Sequence, residues 1–208
     1  MPKQHQFLTQ SFMALNNALT TPALLVVLQS YGYDEKALKG GLALHAQVET
    51  KAEERDAAYG VVRGTNRSLQ QAKDTLIALF QSHLTMARLA FEREGYADDL
   101  KITGRRHGAT ADWLAQAKKF YTHVPVELME KYHIPKKELD EAKKLTAKVI
   151  DLLALQQKTK SQAQQLTQDR QTAYNELYAW MKKFIGIARV IFADQPQYLE
   201  ALGLVVKA

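Results

Sequence analysis

The chain contains no cysteine, which excludes disulfide staples, thiolate metal sites and cysteine nucleophiles together. It also lacks a long hydrophobic run. The longest, Ala23 to Leu28 after Pro22, is far too short to span a bilayer. The opening residues, Met1 to Gln6, lead into no apolar signal core, so a cytoplasmic protein with no integral membrane segment is expected. Proline is scarce, at five residues in 208, and no stretch alternates apolar and polar residues long enough to propose a strand. Without a strand there is nothing to launch a nucleotide-binding turn, and neither G-x-x-x-x-G-K-[ST] nor G-x-G-x-x-G occurs. G-x-S-x-G and H-E-x-x-H are missing as well.

What remains is rich in Ala, Leu, Lys, Glu and Gln, the strong helix formers, and the expected fold class is all-α. The clearest helix runs from about Ser68 to Glu92. Its positions Leu69, Ala72, Leu76, Leu79, His83, Met86 and Ala90 step by three and four, a stripe broad enough for a bundle core. A preceding helix, from Asp34 to about Arg63, carries Leu38, Leu42, His45, Val48, Ala52, Tyr59 and Val62. Gly64-Thr65-Asn66, with Ser68 as a helix cap, reads as a tight turn between the two.

Displacing the sequence by 101 residues brings residues 31–92 onto 132–193 with 13 identities in 62 positions, where helix-rich composition alone gives about five. Asn66 and Ser68 fall on Thr167 and Asp169, and Phe12 falls on Trp113. The expectation is an internally duplicated four-helix bundle. Residues 1–103 and 104–208 would be two repeats packing as one domain, each a long helical hairpin with short capping helices. The segment Asp98 to Thr110 would join them. One continuous helix of about 60 residues per half is the rival arrangement, ranked second because of Gly60, Gly64 and the cap residues.

Charge is uneven. The first half balances 11 basic against 11 acidic residues, and the second holds 17 against 11, which accounts for the whole net charge of +6. A solvated lysine-rich face explains this excess; a polyanion or membrane-surface site built on Lys136, Lys137, Lys143, Lys144, Lys182 and Lys183 is the alternative. Tyr174 and Tyr178 beside those last two lysines are the one aromatic–basic cluster, and core packing explains the late aromatics better than stacking on nucleic acid.

Chemistry is hinted at in few places. A single Glu-x-x-His, Glu130 to His133, sits at a helix end beside Pro135 and argues against a di-iron bundle. His45 and His83 lie 20 and 18 residues from the expected turn, on adjacent apolar stripes, with Glu49 one turn from His45. Two imidazoles and a carboxylate suit a divalent metal such as zinc, or a small ligand, although buried histidines bonded to neighbours are the commoner outcome. Arg88 and Arg189 occupy matching places beside the core stripe, where each needs an ion-pair or carbonyl partner, or together receive an anion. The leading expectation is a non-enzymatic helical scaffold that binds another protein or a second copy of itself. Nucleic acid is not expected as a partner, and no resident cofactor is expected outside the metal alternative.

Overall fold

The structure is a computed structural model, and it describes residues 4–91, 100, 102 and 110–204. These residues form seven helices and no strand: α1 (Gln4–Thr20), α2 (Pro22–Gln29), α3 (Glu35–Phe91), α4 (Thr110–His123), α5 (Val126–Lys131), α6 (Lys136–Ile191) and α7 (Pro196–Ala201). Among them no single helix is long and apolar enough to cross a membrane. Proline opens α2 and α7, where its missing N–H costs nothing. Asp34 caps α3 by accepting from the Ala37 N–H at 2.7 Å.

The chain divides into two compact units, Met1–Ala58 with Gln162–Ala208, and Tyr59–Ser161. Each half of the sequence therefore contributes to both units. In the first, Ala14, Leu15 and Ala18 of α1 and Leu24 and Leu28 of α2 pack with Leu38 and Val48 of α3. Ala173, Leu177, Met181, Phe184 and Ala188 of α6 complete that core. Gly41 lets Trp180 and Leu15 close on α3: a β-carbon there would stand 2.8 Å from the indole and 2.9 Å from the leucine methyl. In the second unit, Leu69 to Phe91 of α3 pack with Leu114, Ala117, Phe120 and Tyr121 of α4, Met129 of α5, and Leu139, Ala142 and Val149 of α6. Of the expected joining segment, only Leu100, Ile102 and Thr110 lie among the described residues, the first two in this second core.

The expected turns at residues 64–67 and 165–169 are not made. α3 runs unbroken for 57 residues and α6 for 56, so the helical hairpins do not form, nor does a four-helix bundle built from them. The reason is packing. Val62, Thr65, Leu69 and Ala72 are all buried and continue one stripe straight through the supposed turn. A helix-interior glycine costs about 1 kcal/mol, whereas each fully buried aliphatic side chain contributes about 1.5–3 kcal/mol. The polar residues meant as caps satisfy the helix instead. Asn66 accepts from the Gln156 amide at 2.7 Å, Thr167 bonds back to the Ala163 carbonyl, and Gln165 bonds Asp169 one turn on.

Three helix ends close with the same hydrogen-bond pattern. After α2, Gly32 N–H reaches the Gln29 carbonyl and Tyr33 N–H reaches Leu28. After α5, His133 N–H reaches Glu130 and Ile134 N–H reaches Met129; after α7, Gly203 and Leu204 repeat it on Glu200 and Leu199. This is the Schellman closure, which needs a left-handed residue. Gly32 and Gly203 supply it with φ of 85° and 76°, but His133 holds φ 62° without being glycine.

Three substitutions test this backbone. Gly64 has open space around a would-be β-carbon, so Gly64→Ala should raise unfolding free energy by up to about 1 kcal/mol in urea titrations, and a loss would mean the helix breaks there. His133→Gly should stabilise by about 0.5–1 kcal/mol by relieving the left-handed strain, while Gly32→Ala should destabilise by about 1 kcal/mol.

A Glu–His–Tyr network as candidate functional site

The metal site expected from His45, Glu49 and His83 is not assembled. Its register argument required a turn near residue 65, and the helix is continuous there. His45 lies in the first unit and His83 in the second, each with its own partners. Among the described residues no three His, Cys, Asp or Glu side chains gather as metal ligands.

His45 is buried where α3 faces α1. Its Nε2 donates to the Leu8 carbonyl at 3.1 Å, which leaves Nδ1 facing the exposed Glu49 carboxylate at 3.5 Å. The Phe12 ring lies against it with centroids 5.6 Å apart. The arrangement ties α1 to α3.

His83 is fully buried and more richly held. Its Nε2 stands 2.8 Å from Glu138 Oε1 and its Nδ1 3.1 Å from the Tyr121 hydroxyl. An ionised carboxylate only accepts, so in the neutral ring Nε2 carries the hydrogen and Nδ1 accepts from the phenol. The network spans α6, α3 and α4, and its members come from three separate stretches of sequence. Glu138 sits in the first turn of α6, where a carboxylate also suits the helix dipole, with its side chain 41% exposed. Tyr121 is 5% exposed; burial pushes its phenol well above the usual tyrosine range, and the Glu138 charge adds to the rise. Phe80 and Phe120 pack edge-on against the Tyr121 ring. Nothing in the local spacing of Tyr121 or Glu138 announces them. The one available signal was His83 itself, a polar ring on an apolar stripe that must find partners.

The other sequence candidates stand apart. Arg88, half-buried in the second unit, donates its Nε to the Ile102 carbonyl, while Arg189 in the first unit is exposed. Among the described residues neither arginine forms an ion pair. Lys136, Lys137, Lys143 and Lys144 belong to the second unit, interleaved with Asp140 and Glu141 along α6, and Lys182 and Lys183 belong to the first. No unit gathers all six. Tyr174 and Tyr178 stack on each other and pack against Phe7, which leaves Tyr178 half-exposed. Glu130 of the lone Glu-x-x-His accepts from the Lys136 N–H at 3.3 Å and so serves the start of α6.

The raised Tyr121 phenol gives a pH signature. A group whose proton is held more tightly in the folded state stabilises fully below its unfolded value of 10.0 and loses that contribution as pH rises beyond it. Stability should thus fall above about pH 10, and Tyr121→Phe should flatten the fall while costing about 0.5–1.5 kcal/mol at neutral pH. Urea midpoints of both proteins from pH 7 to 11 check this; parallel curves would show that Tyr121 does not couple to folding.

No protein-family model matches the chain, and no curated protein or solved structure matches it either, so its own residues carry the functional reading.

Proposed function

We propose that the protein is a non-enzymatic helical scaffold whose outer helix faces bind another protein or a second copy of the chain. The observation that carries this reading is a pair of exposed apolar side chains at matching places. Leu89 is 65% exposed and Val190 is 79% exposed, each in the last turn of a long helix, and each follows an apolar residue three positions earlier, Met86 and Ile187. Large apolar side chains turned to water, beside a partly buried Met86 in one case and a 36%-exposed Ile187 in the other, favour association.

We further infer that the chain is an internal duplication with repeats 1–103 and 104–208. Its support is positional agreement at the 101-residue offset. The starts of α3 and α6, Glu35 and Lys136, are 101 residues apart, as are the left-handed residues Gly32 and His133. Leu38, His45, Val48, Ala72, Leu76, Phe80, His83, Ala87 and Phe91 are buried, and so is the residue 101 further along in every case, from Leu139 to Phe192. On this reading Leu89 and Val190 are one docking feature present twice. The basic residues of the second half gather into no polyanion face, interleaved as Lys136, Lys137, Lys143 and Lys144 are with Glu138, Asp140 and Glu141.

Light scattering across a concentration series tests the scaffold reading. The protein should pass from monomer to dimer, and a Leu89→Asp/Val190→Asp double variant should stay monomeric with unchanged helicity. A wild-type chain monomeric throughout removes self-association, and a double variant that still dimerises removes these residues from the interface.

A further inference from the structure

A cleft of about 270 Å³ opens in the second unit between α4 and the early turns of α6. It sits just under the roughly 300–1,000 Å³ that drug-sized ligands occupy, so its occupant is small. The floor is made by two buried side chains. The Tyr121 hydroxyl is drawn away to His83, and the Thr146 hydroxyl donates to the Ala142 carbonyl of its own helix at 2.8 Å. Neither floor group has a hydrogen left to offer. One wall is apolar, from Ala147 and from Ile150, which is 37% exposed.

The polar chemistry comes from the rim. Lys118 of α4 and Lys143 of α6 both line the cleft, both are exposed, and neither takes part in an ion pair among the described residues. Two cations bordering a partly enclosed apolar surface favour an anion with an apolar body. Asp151 also lines the cleft, eight residues and so about 12 Å along α6 from Lys143. A carboxylate at that distance repels a second negative charge on the far end of a ligand.

We propose that this cleft binds a small organic monocarboxylate, its carboxylate held by Lys118 and Lys143 and its apolar body laid along Ala147 and Ile150. The site is independent of the scaffold reading, because it uses neither Leu89 nor Val190. It is built from the α4–α6 pairing and kept open by the His83–Tyr121 hydrogen bond, which holds the phenol out of the space the ligand fills.

Calorimetric titration of the full-length protein tests it, with octanoate and phenylacetate as probes and octan-1-ol and octanedioate as controls. At least one monocarboxylate should bind saturably with one site per chain, weaken as salt rises, and exceed both the neutral alcohol and the dianion at least fivefold. Lys118→Gln/Lys143→Gln should weaken binding at least tenfold with unchanged circular dichroism, since both side chains are exposed. Ala147→Trp, which fills the cleft from an exposed position, should abolish it. Absence of saturable binding by both monocarboxylates, binding unaltered by the double lysine variant or by Ala147→Trp, or octan-1-ol binding as tightly as octanoate would each overturn the proposal.

Discussion

The unbroken course of the two long helices is the constraint from which the other features follow. α3 supplies Leu38 and Val48 to one core and Leu69 to Phe91 to the other, and α6 supplies Leu139 to Val149 to one and Ala173 to Ala188 to the other. Each core thus has walls from both helices, and a break in either would withdraw a wall from a core. The helix formers that dominate these segments lower the cost, but helical propensity spans less than about 1 kcal/mol per residue. Burial of the stripe decides the outcome.

Much of this was legible in the residues. The all-α class, the short helices opening each half and the buried stripe of α3 all follow from spacing alone. The turn at residue 64 was misread for a specific reason. Gly60, Gly64, Asn66 and Ser68 state where a helix is permitted to end, and they carry no information on whether packing requires it to continue. The contrary signal was present: Val62, Thr65, Leu69, Ala72 and Leu76 keep the three-and-four rhythm across the glycine without a missed beat. A turn would have interrupted it. Polar residues inside a helix are poor evidence of an end when an i+4 neighbour or a facing helix can satisfy them, as Gln156 does for Asn66.

The candidate site was legible only in part, and the limit is again geometric. His83 marks itself as needing partners, but they lie 38 and 55 residues away in sequence, and no helical period links them. Misplacing the turn gave it His45 as a neighbour; the continuous helix gives it Tyr121 and Glu138. The two buried histidines do different work. His45 anchors one helix to a backbone carbonyl, whereas His83 organises side chains from two other helices around itself.

The division of the chain into units has a consequence for its synthesis. The second unit is one contiguous stretch, Tyr59–Ser161, so all its parts leave the ribosome before the chain is complete. The first unit joins the opening residues to the closing ones, and Leu15, Leu28 and Leu38 have no core to enter until Leu177, Phe184 and Phe192 have been made. During that interval α1 and α2 have only each other and the start of α3 to pack against. Residues 162–208 are what bury α1 and α2, and a stop just after Ser161 would leave a complete second unit beside an unburied α1 and α2.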